Sequence, residues 1–239
     1  MIVEDAVDMT RNMNYYVTGK ASAFRGAEAE PAGARPEKRG IMAKRNPDLR
    51  AVVAPSPVII AAAYDENGKA DACTLALYTP ISHRPPCVLI GINVTMRPRK
   101  TLGSILHSGA FTIGYPGEDQ VTEADYIGVA SGFDTDKLKD VGFTVSEGQT
   151  VHAPVINELR LTLECEVVHT VRVGSNMQIT GEIKNILADE EILDGKGRVV
   201  LERLKPLIYD EEGFAYRHAG EPFAEPFRTG TEFMKQLEK

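Results

Sequence analysis

A mainly β protein, built as a small closed or part-closed antiparallel barrel with a few short helices, is what this sequence predicts. Three observations carry the expectation. Leu159, Leu161, Leu163, Cys165 and Val167 alternate with Arg160, Thr162, Glu164 and Glu166, and such a strict period of two marks a half-buried strand, not a helix. Six or seven strand-like segments are joined by turns that send the chain back on itself, Asp65-Glu66-Asn67-Gly68 and Gly174-Ser175-Asn176 among them. Alternating strand–helix units are missing, which argues against a doubly wound parallel sheet and for a barrel.

Each element follows in chain order. Pro57 to Tyr64 (PVIIAAAY) is a near-continuous apolar run of buried-strand length. The Asn67-Gly68 pair tolerates the positive φ angles of a hairpin, so Ala70 to Thr79 reads as the returning partner. Cys87 to Asn93, after Pro85-Pro86, is a third strand. Lys100 to His107 reads as a short helix stopped by Gly109. Ala110 to Tyr115 is a fourth strand, and residues 119–130 look helical and polar. The alternating strand from Leu159 to Val167 turns at Gly174-Ser175-Asn176, and Met177 to Ile186 returns antiparallel to it. A final strand covers Pro206 to Tyr209, and no internal repeat is visible.

The 239 residues suit one large domain or two small ones, and 43% hydrophobic with 26% charged residues is an ordinary globular balance. No stretch approaches the roughly 20 apolar residues of a membrane-spanning helix. A net charge of -7 argues against a whole-domain electrostatic grip on nucleic acid or anionic lipid. Cys73, Cys87 and Cys165 are too few and too widely spaced for a disulfide framework or a zinc knuckle. The N-terminus lacks a basic segment followed by an apolar one, so a cytoplasmic location is expected, and the Asn93-Val94-Thr95 sequon is then chance. Residues 1–46 have mixed charge and no period, and read as a flexible tail or as a mis-assigned extension with the start at Met42. Residues 47–220 form the domain, and 221–239 a C-terminal extension.

Dinucleotide, P-loop, serine-hydrolase and HExxH zinc motifs are absent. His83, His107, His152, His169 and His218 are scattered without metal-ligand spacing. Three segments carry chemistry. Arg97-Pro98-Arg99-Lys100-Thr101 lies between a buried strand and a helix start, where free N–H groups, forked guanidinium donors and a hydroxyl suit an anion; a solvated basic turn is the bland alternative. Lys137, in Asp134-Thr135-Asp136-Lys137, can reach a phosphate or a ring carbonyl, or form a surface pair. Ala72 to Ser82 begins as a strand and leaves it through Thr and Pro, so its backbone and Thr74 can meet the polar edge of a planar ring, or it is an ordinary edge strand.

In order and spacing these pieces resemble the flavin reductase-like FMN-binding family, its flavoredoxin-like members most closely. The matching residues include Gly68-Lys69-Ala70-Asp71-Ala72-Cys73-Thr74, Thr79-Pro80-Ile81-Ser82, Arg99-Lys100-Thr101, Ser131-Gly132, Asp136-Lys137, Gly181-Glu182-Ile183 and Pro206-Leu207-Ile208-Tyr209, spread over about residues 47–220. The resemblance implies a split β-barrel homodimer holding FMN non-covalently near the subunit interface. It implies cofactor contacts at Asp71, Thr74, Leu77, Thr79, Ile81, Arg99, Lys100, Thr101, Ser131, Lys137, Asn176 and Tyr209. Thr101 matches the family threonine at the phosphate, Lys137 a lysine approaching the flavin, Thr74 a threonine on the ring-edge strand, and Tyr209 an aromatic near the cofactor. Three positions depart: Asp71 stands for Asn, Leu77 for an aromatic, and Asn176 for His. An ionised Asp71 close to the ring would lower the flavin potential.

The resemblance therefore implies a flavoprotein oxidoreductase that passes electrons from NAD(P)H or a protein donor to an acceptor. A non-catalytic electron carrier and a redox-inactive flavin-binding protein are the alternatives. No catalytic residue, metal, nucleic acid or membrane partner is assigned. Cys73, next to Thr74, is either a redox-active thiol or a small buried hydrophobe.

Overall fold

The computed structural model describes residues 55–237. The tail and the alternative start at Met42 lie outside the described residues. In chain order the elements are β1 (Ser56–Pro57), β2 (Ile59–Tyr64), β3 (Ala70–Leu75), β4 (Tyr78–His83), β5 (Pro86–Asn93), α1 (Lys100–Ser108), β6 (Ala110–Gly114), α2 (Val121–Val129) and α3 (Lys137–Asp140). They continue with β7 (Val145–Glu147), β8 (Pro154–Ile156), β9 (Leu161–Val173), β10 (Asn176–Ala188), α4 (Leu201–Leu204), β11 (Ile208–Asp210), β12 (Ala215–Arg217) and α5 (Arg228–Leu237).

Seven strands form one antiparallel sheet in the order β3-β2-β6-β9-β10-β5-β4. Its two edge strands, β3 and β4, are consecutive in the chain and joined only by Ala76 and Leu77. So short a link forces the sheet to curl until its edges meet, which makes it a barrel split at that seam. The link is held to β5 by the Gly91 N–H donating to the Leu77 carbonyl at 2.9 Å. Closing a sheet on itself protects its edges.

Strand β2 explains the apolar run that encodes it. Ile59, Ala61 and Ala63 point into the barrel with Phe111, Ile113, Ile90 and Ile179. Ile60 and Ala62 point outward against Ala124 and Ile127 of α2, Leu138 of α3 and Leu207. A strand covered on both faces has no reason to alternate. Asp65 closes the β2–β3 hairpin by accepting from the N–H groups of Asn67 and Lys69, both at 2.9 Å. Gly68 takes φ +72° there, and Gly109 ends α1 at φ +70°.

Three expectations change. The Ala70–Thr79 strand breaks at Ala76-Leu77, so Thr79 belongs to β4 on the opposite sheet edge. A strand that swaps edges keeps strand propensity throughout, so composition does not show the break. The strand expected at Pro206 to Tyr209 is Ile208–Asp210 and is not the final one: it lies between β1 and the later β12 in a separate three-stranded sheet. The polar face of β9 is a solvent face only in part: Thr162 and Glu164 are buried, while Glu166 is exposed. Residues 149–151 wrap the Glu164 carboxylate, which accepts from Gln149 N–H at 2.9 Å and from Thr150 N–H at 2.6 Å, while the Thr150 hydroxyl adds a bond at 2.5 Å.

Burial would raise the Glu164 carboxyl, but bonds from Thr150, the Gln149 and Thr150 amides and Asn185 outweigh it and hold the group below the usual carboxylate range. A folded-state value below the unfolded one adds stability above the unfolded pKa that is lost as pH falls through the folded one. Glu164→Gln is therefore expected to lower stability at neutral pH and to flatten the acid limb of a stability–pH curve, read by urea unfolding between pH 7 and pH 3. A tighter constraint sits at Gly181, opposite Phe111, where an added Cβ would fall 2.5 Å from the ring. Gly181→Ala is expected to cost about 1–3 kcal/mol by overpacking, measurable in the same assay.

Candidate functional site

The site begins where α1 does. Arg99 is the N-cap residue in extended conformation; no side chain caps the helix, and no acid lies in its first turn. The first N–H groups of a helix have no acceptor within it, and the helix dipole adds positive potential there. The end is thus ready for an anion. Two guanidinium groups stand beside it. Arg97 donates to the carbonyls of Val129 and Gly128 at 2.5 and 2.7 Å, and Arg99 donates to Gly128 at 2.9 Å. These carbonyls close α2, so the arginines also satisfy its C-terminus. Arg99 has five donors, of which this contact takes one.

Below this end lies a buried polar cluster. Asp71 on β3, Thr101 in the first turn of α1, and Lys137 at the start of α3 are 5%, 0% and 3% exposed. Thr101 donates its hydroxyl to Asp71 Oδ2 at 2.5 Å. Lys137 Nζ lies 3.3 Å from Asp71 Oδ1 and also donates to the Ala72 carbonyl. Gly132 presses on the carboxylate from the other side, where a Cβ would fall 2.2 Å from Asp71 Oδ1. Every charge in the cluster is paired, as burial demands.

Arg99, the residue that precedes α1, borders a cleft of about 410 Å³. Val58 and the β3 end, Thr74 to Ala76, form one side; Arg99 and the C-terminal turn of α2 form another; Tyr209, Phe214 and Tyr216 form the third. The third wall is the β11–β12 hairpin, tied to α2 by the Tyr216 hydroxyl donating to Asp125 at 2.8 Å.

The sequence-based candidates divide accordingly. Thr74, Arg99 and Tyr209 line the cleft together, although the Thr74 hydroxyl already donates to the Ala124 carbonyl at 2.5 Å. Thr101 and Lys137 are turned into the buried cluster with Asp71, so a hydroxyl donating to Asp71 cannot also donate to a phosphate. Lys100 points elsewhere, pairing with Asp65 at 2.9 Å. Ser131 accepts from the Phe133 N–H at 3.3 Å in the loop before α3. Leu77, Thr79 and Ile81 lie on the seam and on β4, with Leu77 49% and Ile81 50% exposed. Asn176 opens β10 opposite Asn93, with its Oδ1 buried and unpartnered. Sequence reasoning missed Asp125, Phe214 and Tyr216. The available signal was an aromatic cluster around the turn Tyr209-Asp210-Glu211-Glu212-Gly213-Phe214.

Cys73 is sealed in the barrel core, and burial pushes its thiol up, opposite to what a reactive cysteine needs. Burial also drives Cys165 up to about 12. Among the described residues no group of three or more His, Cys, Asp or Glu could hold a metal ion, and no helix is long and apolar enough to cross a membrane. The residues do fit a planar aromatic phosphate ester. An uncapped helix start and a guanidinium suit the phosphate, and a cleft with aromatic walls suits the ring.

Known proteins share sequence and fold with this chain. Flavoredoxin of Desulfovibrio vulgaris (Miyazaki F) is 28% identical with a TM-score of 0.73, covering 79% of this chain and 100% of its own. Flavoredoxin from Methanosarcina acetivorans is 28% identical with a TM-score of 0.74, covering 81% and 100%. An FMN-binding protein from Thermus thermophilus shares the fold at 22% identity and a TM-score of 0.63, covering 78% and 99%. The family model described as flavin reductase like domain matches residues 51–217, so this chain belongs to that family.

Proposed function

We propose that the protein is an FMN-dependent oxidoreductase that takes electrons from a reduced nicotinamide or a protein donor and passes them to an acceptor. The observation that carries the reading is the meeting of Thr74, Arg99 and Tyr209 on one cleft at the uncapped start of α1. Arg99 and the first N–H groups of α1 would hold the phosphate. The backbone of Thr74 to Ala76 would meet the ring edge, and Tyr209 would give it an aromatic surface. FMN, when bound, supplies the electron-transfer chemistry, and the chain supplies binding, orientation and electrostatics. The proposal includes a homodimer: Leu77 and Ile81 at the seam are exposed, as are Val168, Val171, Val173 and Ile186 on β9 and β10. Exposed apolar residues in such number favour pairing.

Protein purified without added cofactor is expected to be yellow, with a flavin absorption spectrum, and to release FMN on heating. Steady oxidation of NADH or NADPH by this holoprotein would establish a reductase; a flavin that only exchanges electrons with a protein partner would establish a carrier. A colourless protein that fails to bind added FMN would remove both.

A further inference from the structure

Phe214 is an anomaly on the β11–β12 turn. Its φ is +47°, the left-handed region that bulky residues avoid. Its side chain is 79% exposed although it is a large aromatic. Both features oppose folding, and Gly213, which suits positive φ, stands one residue earlier. The turn is nevertheless firmly built. Asp210 accepts from the Gly213 N–H at 2.9 Å and from Arg217 Nε at 2.6 Å. Tyr216 anchors the hairpin to Asp125, and its ring lies 6.1 Å from that of Tyr209. The strained residue lines the cleft with those two rings. Strain held by rigid surroundings at the edge of a binding cleft points to function.

We propose that Phe214 is a ligand-positioning residue that covers the planar ring bound in this cleft, the flavin ring on the reading above, on which this inference rests. A third aromatic side chain on the hairpin then excludes water from the ring and gains in the complex the burial it lacks without ligand.

Two variants test this. Phe214→Gly removes the ring and relieves the backbone, since glycine takes positive φ without a steric cost. Its ligand-free melting temperature is expected to match or exceed the parent's, while its Kd for both FMN and riboflavin rises roughly three- to tenfold, the range of aromatic stacking. Phe214→Trp places one tryptophan in a chain that has none, and its emission is expected to be quenched during FMN titration. Unchanged affinity for both FMN and riboflavin in Phe214→Gly, in a parent that binds FMN, overturns this inference and leaves the proposed function standing. A parent that binds no FMN overturns both. Loss of self-association in Phe214→Gly at unchanged affinity assigns the residue to contact with a second copy, and likewise overturns the inference.

Discussion

Lys137→Ala is expected to destabilise the protein by about 3–5 kcal/mol, the usual effect of leaving one partner of a buried ion pair alone. The side chain is 3% exposed and its ammonium lies 3.3 Å from Asp71 Oδ1. Removing it leaves the Asp71 carboxylate with the Thr101 hydroxyl as its remaining side-chain donor. Asp71→Ala does the converse, stranding the ammonium and the Thr101 hydroxyl together. The double replacement Asp71→Asn with Lys137→Met should recover most of the loss. It removes both charges, keeps an oxygen to accept from Thr101, and nearly conserves volume. A double-mutant cycle of Asp71→Asn, Lys137→Met and their combination, read by urea unfolding, should thus give strong coupling. If Lys137→Ala unfolds at the parent's urea midpoint, the pair does not exist in solution. Gly132 sharpens the test, because its missing Cβ is what lets the loop approach Asp71 Oδ1. Gly132→Ala should weaken the fold through the same cluster.

This cluster also shows where sequence and structure part. The barrel was legible because its signals are local: the apolar run of β2, the Asn67-Gly68 turn, the alternation of β9. The edge swap between β3 and β4 was not, since strand propensity continues on both sides of Ala76-Leu77 and only sheet topology separates them. Glu164 looked like a surface residue because alternation assigns it to the polar face, and the loop that buries it comes from residues 149–151. The crowding of cations near a helix start is plain in the sequence, but not how those cations divide their work. Of that segment, Arg97 and Arg99 close α2, Lys100 pairs with Asp65, and Thr101 serves Asp71. These partners lie about 30 residues or more away in sequence, a separation at which no pattern reports contact. Phe214 and Tyr216 were missed for a related reason: aromatics flanking an acidic turn read as strand residues until the hairpin is seen against α2.

Arg99→Ala is expected to weaken FMN binding roughly 10- to 150-fold, the equivalent of about 1.5–3 kcal/mol for a charge-assisted contact to phosphate. Arg99 lines the cleft at the start of α1 and donates one of its N–H groups to the Gly128 carbonyl. Thr101→Ala is expected to act differently. Its hydroxyl faces Asp71, so the loss should fall mainly on stability, with FMN affinity changing only as far as α1 shifts. Lys100→Ala should change FMN affinity little, because its charge is held by Asp65. Riboflavin separates the contributions, since it has the ring without the phosphate: Arg99→Ala should leave its affinity almost unchanged. Salt gives a second check. FMN affinity should fall with ionic strength in the parent and less steeply in Arg99→Ala, because a screened guanidinium–phosphate attraction is what the variant removes. Equal losses for FMN and riboflavin in Arg99→Ala would show that the residue acts through the C-terminus of α2 and the cleft wall, and the phosphate would then rest on the N–H groups of α1 alone.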